Sequence, residues 1–333
     1  MNSFGSIFRV SIFGESHGPM VGITIDGCPA GLPLKEEDFN VDLERRKGGM
    51  QKGTTPRKED DRPLFITGMF QDKTTGAPLT ILFENANTRS ADYQKQRAVP
   101  RPGHADFVAF KKFGGYEDFR GGGHFSGRLT VCLVAAGVIA KKVLGSSIEV
   151  KAQILEIGGE TDREKGLQKA IEAKDSVGGI VECRVSGLPA GIGEPFFDSV
   201  ESLIGHAAFS IPAVKGVEFG AGFSAARMFG SVHNDAIVDG DGRTGTNHAG
   251  GVVGGITTGN ELVYRVAVKP TSSTPKEQES WNWEKGQVER FSVKGRHDLC
   301  IALRVPPVLE AVTAIVLADL MLLEQRYNRV LTK

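Results

Sequence analysis

Apolar and polar residues alternate along several short segments of the chain, which is the pattern of strands with one covered face. Segments with helical periodicity lie between them, and no internal repeat or linker-like change of composition divides the chain. We therefore predict an α/β fold of the α+β type, in which residues 1–333 form a single domain of antiparallel sheets covered by helices. The predicted strands cover residues 6–13, 21–26, 64–70, 79–84, 148–157, 179–187 and 261–269.

Three segments carry helix signals at their ends. Residues 35–49 end in cations followed by a Gly pair, as at a helix C-terminus. Residues 198–209 open with Asp198 and Glu201 at the spacing of a capping box. Residues 306–329 begin with two prolines, which the first turn of a helix tolerates. We predict a helix in each segment.

Two long apolar stretches, 129–140 and 308–323, have the composition of membrane spans. The first is shorter than the ~20 residues that a bilayer requires. The second contains Glu310 and Asp319, and acidic groups are costly in lipid. We therefore predict that both stretches are buried helices and that the protein does not bind a membrane.

Charge and cysteine usage limit the functional classes. The 40 Lys and Arg residues balance the 40 Asp and Glu residues, so no net field attracts nucleic acid or an anionic membrane. The four cysteines lack any C-x-x-C spacing, which argues against a zinc site and a disulfide framework. The first residues also lack the basic and apolar regions of a signal peptide. We expect a cytoplasmic protein with no metal site and no nucleic-acid partner.

Basic residues nevertheless concentrate in one short region. Arginine binds carboxylate and phosphate through two parallel hydrogen bonds, so such a region can close on a small polyanion. A helix C-terminus followed by a loop also favours cations, so composition alone leaves both interpretations open. The region contains Arg45, Arg46, Lys47, Lys52, Arg57, Lys58 and Arg62.

The pentapeptide GESHG at 14–18 has the G-x-S-x-G pattern of an α/β-hydrolase nucleophile elbow. An elbow follows a central strand and leads into a helix. Here one predicted strand precedes Ser16, and the following PMVGITIDG favours a strand instead. The alternative is a Gly-rich turn that presents His17, whose side chain can titrate near neutral pH. A serine hydrolase built on Ser16 is therefore the second hypothesis.

Two more histidines lie in turns with charged neighbours. His104 stands in RPGHAD between Arg101 and Asp106, and His297 stands in KGRHDLC beside Asp298. Each group alone is typical of a solvated turn. Two Gly-rich stretches, FRGGGHFSGR and NHAGGVVGG, and the segment KPTSST have the composition of phosphate-binding loops. Neither Gly-rich stretch has the spacing of a P-loop or a dinucleotide-binding turn.

These segments, in this order and across nearly the whole chain, resemble the chorismate synthase family. The resemblance implies a β-α-β sandwich, in which helices are packed between antiparallel sheets, and a homotetramer. It implies a lyase that converts 5-enolpyruvylshikimate 3-phosphate, a phosphorylated dicarboxylate, to chorismate and phosphate. The segments that carry it are GESHGPMVGITIDGCPAG, RPGHAD, GGGHFSGRLTVCLVAAGVIAKK, GLPAGIGEPFFDSVES, SIPAVKGVEFGAGF, NHAGGVVGGITTG, KPTSST and KGRHDLC.

The resemblance also implies reduced FMN as the cofactor, although the reaction has no net redox change. We expect no separate flavin reductase domain, and therefore an external system that reduces the flavin. Whether the chain itself uses NADPH is left open. The third hypothesis is a non-catalytic flavin- or nucleotide-binding module.

Three side chains match the family's catalytic positions. His17 matches the histidine near the departing phosphate, His104 the histidine beside the pyrimidine edge of the flavin, and Asp298 the carboxylate near flavin N5 that takes part in proton removal. The implied substrate-binding residues are Ser16, Arg46, Lys52, Arg128 and Arg296. The implied flavin-binding residues are His124, Phe125, Ser126, Pro212, Ala213, Gly254, Lys269, Pro270, Thr271, Ser272, Ser273 and Arg296.

Five residues depart from the family's usual pattern. His124 and Phe125 replace Arg and Ser, so a permanent cation becomes a titratable group. Lys52 replaces an Arg and loses the bidentate fork of a guanidinium. Leu299 and Pro212 replace a Pro and an Asn, which affects a side-chain contact to the flavin but not the backbone contacts.

The two interpretations of GESHG predict opposite effects of substitution. If the turn serves His17, His17→Ala should lower kcat by about 10²–10⁴-fold, the usual effect of removing a positioned acid. Ser16→Ala should have a smaller effect, and a serine-reactive fluorophosphonate should leave the protein unlabelled. Labelling of Ser16, together with a nearly active His17→Ala variant, would restore the hydrolase hypothesis.

Overall fold

The computed structural model of the protein describes residues 1–49, 52–55, 59–86, 97–293 and 297–325. Its strands are β1 (Ser3–Phe4), β2 (Arg9–Gly14), β3 (Met20–Asp26), β4 (Leu64–Thr67), β5 (Met69–Phe70), β6 (Lys73–Thr74), β7 (Leu79–Glu84), β8 (Glu149–Ile157), β9 (Gly179–Ser186), β10 (Val214–Phe219), β11 (Val252–Val253), β12 (Ile256–Thr257), β13 (Leu262–Val268), β14 (Gln278–Asn282) and β15 (Gln287–Phe291). Its α-helices are α1 (Asn40–Arg46), α2 (Asp106–Phe113), α3 (Thr130–Leu144), α4 (Arg163–Ala173), α5 (Val200–Ala208), α6 (Gly230–His233) and α7 (Val305–Glu324).

The first large sheet has the strand order β1-β2-β3-β7-β4, with antiparallel neighbours. Apolar residues on one face pair directly across β3 and β7. Ile23 lies opposite Ile81, and Val21 lies opposite Phe83, and all these side chains are fully buried. One covered face therefore explains the alternation of residues in these strands.

The second large sheet has the order β10-β13-β9-β8 and is also antiparallel. Tyr264 on β13 lies opposite Cys183 on β9, and both side chains are fully buried. The Tyr264 hydroxyl donates to Thr313 Oγ1 at 2.5 Å, because the Thr313 hydroxyl itself donates to the Leu309 carbonyl. This bond joins the sheet to α7.

Helices α3 and α7 form the layer between the sheets and pack against each other. Helix α3 contacts β2, β3 and β7, whereas α7 contacts β8 and β9. Gly137 permits the close approach of the helices, because a Cβ atom there would lie 2.3 Å from the Cβ of Ala311. The chain is therefore an α+β protein with helices between antiparallel sheets, as predicted.

Helix α7 buries two carboxylates and satisfies both. Glu310 accepts hydrogen bonds from α1, α3 and β8 through Arg45, Lys141 and the backbone N–H of Ala152. Burial alone would raise the pKa of Glu310, but the bonds from the two cations outweigh it and lower that pKa. Asp319 accepts three backbone N–H groups between β1 and β2, those of Ser6, Ile7 and Phe8.

The two apolar stretches are core helices. Within the described residues, Ile301–Glu324 is long and apolar enough to cross a membrane, but 89% of its most apolar window is buried inside the protein. Every residue from Thr130 to Ala140 on α3 is also buried. The prediction of buried helices at 129–140 and 308–323 is confirmed.

Two local predictions require correction. Helix α5 lies within 198–209, but its N-cap is Ser199 rather than Asp198. The Ser199 hydroxyl accepts the backbone N–H of Ser202 at 3.1 Å, which is the usual capping bond. The strand predicted over 64–70 is interrupted at Gly68, whose φ of +85° turns the chain from β4 into β5. In contrast, β7 has the predicted bounds, 79–84.

Candidate active site

A cavity of about 740 Å³ lies beside the N-terminal halves of α3 and α7. This volume is typical of small-molecule sites. The helices provide an apolar wall that includes Leu133, Val308, Val312 and Ile315. Further lining comes from the N-terminal residues 1–4, from the region between Arg46 and Asp61, and from the segments around His104, Ser126, Pro212, Thr271 and Asp298. The cavity therefore gathers segments that lie far apart in the sequence, several of which were predicted to form the site.

The GESHG segment forms the turn between β2 and β3, which pair as far as Gly14 and Val21. The Ser16 N–H donates to the Gly123 carbonyl at 3.1 Å, and Ser16 is fully buried. A nucleophile elbow joins a strand to a helix and exposes its serine, and neither condition is met here. The serine hydrolase hypothesis is therefore wrong.

His17 lies in the same turn and is 8% exposed. Its ring packs on Gly121, where a Cβ atom would lie 2.1 Å from ring atoms Cε1 and Nδ1. Gly121 has a φ of +60° and lines the cavity. A glycine is therefore required at this position, and His17 lies directly behind the cavity wall.

His104 belongs to a hydrogen-bonded group with both charged neighbours from its turn. Its Nδ1 lies 2.6 Å from Asp106 Oδ1 and 3.1 Å from Arg101 Nη2. Burial alone would raise the pKa of Asp106, but hydrogen bonds with Arg101 and His104 lower it well below its ordinary value. The ionised carboxylate favours a hydrogen on Nδ1, so Nε2 is the ring nitrogen that can face a ligand.

A buried group of two arginines and one aspartate concentrates positive charge in the cavity lining. Asp61 accepts from Arg46 Nη2 at 2.5 Å and from Arg128 Nη1. The side chains of Asp61, Arg46 and Arg128 are 0%, 3% and 4% exposed, respectively. Burial alone would raise the pKa of Asp61, but the two guanidinium groups lower it. Burial lowers the pKa of Arg46 to about 10, so Arg46 stays charged at neutral pH.

The two arginines differ in how fully their donors are used. Arg128 donates to the Asn85 side chain and to the Glu84 carbonyl, both at 2.8 Å. Arg46 Nη1 donates to Thr130 Oγ1 at 3.4 Å. Arg46 Nε is buried and has no partner among the described residues. This buried N–H can donate a hydrogen bond to a bound anion.

Asp298 is held by one backbone donor and one side-chain donor. Its Oδ1 accepts the Thr55 N–H at 2.8 Å, and its Oδ2 accepts Arg304 Nη1 at 3.2 Å. The Leu299 N–H also donates to the Gly53 carbonyl at 2.8 Å. The basic region of the sequence therefore contacts the Asp298 segment through its backbone at 53–55.

The KPTSST segment contacts the RPGHAD turn. Lys269 Nζ donates to the Gly103 carbonyl at 2.5 Å and to Ser272 Oγ at 2.7 Å. Burial, with Lys215 nearby, lowers the pKa of Lys269. The hydroxyl of Thr271 is buried without a partner among the described residues. All residues from 269 to 273 line the cavity.

The flavin residues predicted outside the KPTSST segment lie mostly at the cavity as well. His124, Phe125, Ser126, Pro212 and Ala213 line it. His124 donates from Nδ1 to the Gly14 carbonyl at 2.8 Å, and its Nε2 lies 3.1 Å from Asn2 Oδ1. Both ring nitrogens of His124 therefore face oxygen atoms of the protein.

Four predicted site residues among those described do not line the cavity: Ser16 and His17, which lie behind Gly121, and Lys52 and Gly254. Lys52 is exposed, and Gly254 lies in the open turn between β11 and β12; neither belongs to the cavity lining in the described part of the chain. The geometry of a single chain therefore does not support the predicted contact of Lys52 with the substrate or of Gly254 with the flavin. Arg296, like the basic residues Arg57 and Lys58, lies outside the described residues.

Sequence reasoning missed Asp61 and Arg304. Asp61 is one of the few carboxylates in the basic region, and that contrast in charge was a usable signal. Arg304 lies six residues after Asp298 and two residues before the first of two prolines, where no sequence pattern connects it with chemistry.

The lining suits the implied flavin. The helices offer an apolar wall for a ring system, and the 269–273 segment offers a cation and hydroxyl groups for polar and phosphate groups. Arg46 Nε and the Thr271 hydroxyl are buried polar atoms without partners among the described residues, as expected at a site that receives a polar ligand. The cavity volume and the donor set therefore fit FMN together with an anionic substrate.

Comparison with known proteins decides the family. The family model for chorismate synthase matches residues 8–322. The chain belongs to the chorismate synthase family. It is 72% identical over 330 residues to chorismate synthase of Chitinophaga pinensis, covering 99% of each chain. It is 46% identical to that of Korarchaeum cryptofilum, covering 95% and 96%. A crystal structure of chorismate synthase matches with a TM-score of 0.73 at 27% identity, covering 96% of this chain and 93% of that chain.

Chorismate synthases are carbon–oxygen lyases of aromatic amino acid biosynthesis. Membership therefore confirms the resemblance drawn from the motifs and the predicted conversion of 5-enolpyruvylshikimate 3-phosphate to chorismate and phosphate. The match to a solved chorismate synthase also confirms the predicted fold class.

The buried ion pairs of Asp61 generate a stability prediction. Asp61→Asn keeps the side-chain shape but removes the charge between Arg46 and Arg128. We expect the free energy of unfolding at pH 7 to fall by about 3–5 kcal/mol, because two buried cations lose their partner. Urea denaturation measures the loss. The control is Asp241→Asn at an exposed position, which should change stability by less than about 0.5 kcal/mol.

The ion pairs of Asp61 also predict how the stability difference between wild type and Asp61→Asn depends on pH. The pKa of folded Asp61 is lowered, so its stabilising contribution is present above the unfolded value of about 3.9 and is lost as the pH falls. The stability difference between wild type and Asp61→Asn should be full at pH 7 and narrow below about pH 4. A difference that is independent of pH, or absent, would contradict the buried ion pairs.

Proposed function

We propose that the protein carries out this elimination in the cavity beside α3 and α7, with reduced FMN as its cofactor. One observation carries the proposal: the buried group of Arg46, Asp61 and Arg128 has a net positive charge and lines the same cavity as His104 and Asp298. One cavity therefore offers cations for a polyanionic substrate, two side chains that can exchange protons, and an apolar wall for a ring system.

The arginines bind the anionic groups of the substrate. Arg46 offers its Nε, and Arg128 is already oriented by Asn85 and Glu84. Asp61 keeps both guanidinium groups in place before the substrate arrives, which lowers the entropy cost of binding. Ser16, Lys52 and Arg296 complete the proposed substrate set on the strength of their motifs.

The two histidines, His17 and His104, act as proton donors or acceptors. His17, behind Gly121, protonates or pairs with the departing phosphate, and a cationic imidazole makes phosphate a better leaving group. His104 donates a hydrogen bond from Nδ1 to Asp106 and presents Nε2 to the cofactor. Contacts with Gly121 and Asp106 thus fix the positions of the His17 and His104 rings, respectively.

Asp298 takes part in removing the substrate proton. Its two oxygens accept bonds from Thr55 and Arg304, which fix the carboxylate plane and leave lone pairs for a proton. When bound, reduced FMN supplies an electron-rich ring that can donate charge to the allylic substrate as the C–O bond breaks. The residues proposed to hold it are His124, Phe125, Ser126, Pro212, Ala213, Gly254, Arg296 and residues 269–273.

We also propose that residues 1–333 act as one domain, as a cytoplasmic homotetramer, with an external system that reduces the flavin. Large exposed apolar side chains support an assembly, because soluble monomers rarely expose such groups together. Four phenylalanines between β9 and β11 are at least 78% exposed: Phe196, Phe197, Phe223 and Phe229.

The proposal predicts a specific dependence on flavin. Under anaerobic conditions, the protein with chemically reduced FMN and 5-enolpyruvylshikimate 3-phosphate should release chorismate and phosphate in equal amounts, over many turnovers per flavin. Oxidised FMN in air should give no turnover, because its ring is not electron-rich. Equal activity with oxidised FMN would contradict the role of the cofactor. Flavin binding without product under either condition would favour the non-catalytic module.

A further inference from the structure

Arg304 bridges two parts of the proposed site. It ends the short 3-10 helix Ile301–Arg304 and immediately precedes α7. Its Nη1 donates to Asp298 Oδ2 at 3.2 Å, and its Nε donates to the backbone carbonyl of Arg46 at 2.9 Å. The side chain is 22% exposed and lines the cavity. One guanidinium therefore contacts both the proposed base and the element that carries the substrate-binding arginine.

Both contacts satisfy groups that need a donor. The Arg46 carbonyl belongs to the last turn of α1, where carbonyl groups lack intrahelical partners and carry partial negative charge. The Asp298 carboxylate carries full negative charge, which the backbone N–H of Thr55 offsets only in part. A cation between the carbonyl and the carboxylate is attracted by both.

The chemistry of the side chain favours arginine over other cations. The guanidinium group is planar and holds Nε and Nη1 at a fixed separation, so two acceptors that bind it are held at a fixed distance from each other. A lysine ammonium has no such fork and can replace the charge but not the geometry.

We infer that Arg304 is a positioning residue that fixes the Asp298 carboxylate relative to Arg46, and so relative to the bound substrate anion. The inference rests on the proposed function, in which Asp298 takes part in proton removal and Arg46 binds the substrate. Arg304 acts through these two residues and leaves the chemistry to them.

The test is a double-mutant cycle on chorismate formation. Wild type, Arg304→Gln, Asp298→Asn and the double variant are compared in anaerobic single turnovers with reduced FMN, at stoichiometric enzyme so that slow variants still give rate constants. Arg304→Gln should lower the rate constant by about 10²-fold, the effect of misplacing a reacting group by about 1 Å. In the Asp298→Asn background, the same substitution should change the rate by less than about threefold, because the residue it positions is already altered.

Two further variants separate positioning from a general loss of structure. Arg304→Lys retains the charge and should fall between wild type and Arg304→Gln. Arg290→Gln, at an exposed arginine on β15, should react at the wild-type rate. Binding of oxidised FMN should be the same in every variant. A structural role alone would instead lower the unfolding temperature and reduce the rate equally in both Asp298 backgrounds.

The outcomes also separate this inference from the proposed function. Wild type that forms chorismate, with Arg304 and Asp298 effects that multiply independently, overturns the positioning role and leaves the proposed function intact. An Arg304→Gln rate equal to that of wild type overturns the positioning role in the same way. A wild-type protein that forms no chorismate with reduced FMN overturns the proposed function, and the positioning role with it.

Discussion

Two guanidinium groups buried in the wall of the cavity are the constraint on which this site depends. Arg46 and Arg128 are almost inaccessible to water, and an unpaired charge in such a place is strongly destabilising. Asp61 provides one carboxylate for both, from a left-handed conformation with φ of +53° that aspartate tolerates better than most residues. Because one carboxylate lies between two guanidinium groups, the group as a whole carries a net positive charge. The site is thereby stable without a ligand and still attractive to an anion.

Helix α7 connects this charge group to the rest of the fold. Glu310 holds Arg45, the neighbour of Arg46, against the second sheet, and Asp319 holds the backbone that leads into the first sheet. The start of the same helix carries Arg304, and its apolar face forms one wall of the cavity. A helix that is buried on all sides can therefore bind several elements at once, because its few polar groups are all satisfied by them.

Local sequence patterns predicted many of the strands, helices and motifs. The features that they did not predict depend on contacts between residues far apart in the sequence. The strand at 79–84, the turn at GESHG and the family motifs are encoded in consecutive residues. The ion pairs of Asp61 join it to residues 15 and 67 positions away, and no periodicity reports such distances. Ser199 displaced Asp198 as a helix cap because two adjacent residues are both good caps, and the path by which the chain enters the helix selects one.

The central claim is that Arg46 binds the substrate anion inside the protein, and equilibrium binding tests it most directly. Calorimetric titration with oxidised FMN and 5-enolpyruvylshikimate 3-phosphate separates binding from turnover. Arg46→Ala should weaken substrate binding by about 2–5 kcal/mol, because a buried charge partner is lost, and should leave the affinity for FMN alone unchanged. Equal substrate affinity in wild type and a folded Arg46→Ala variant would contradict this account.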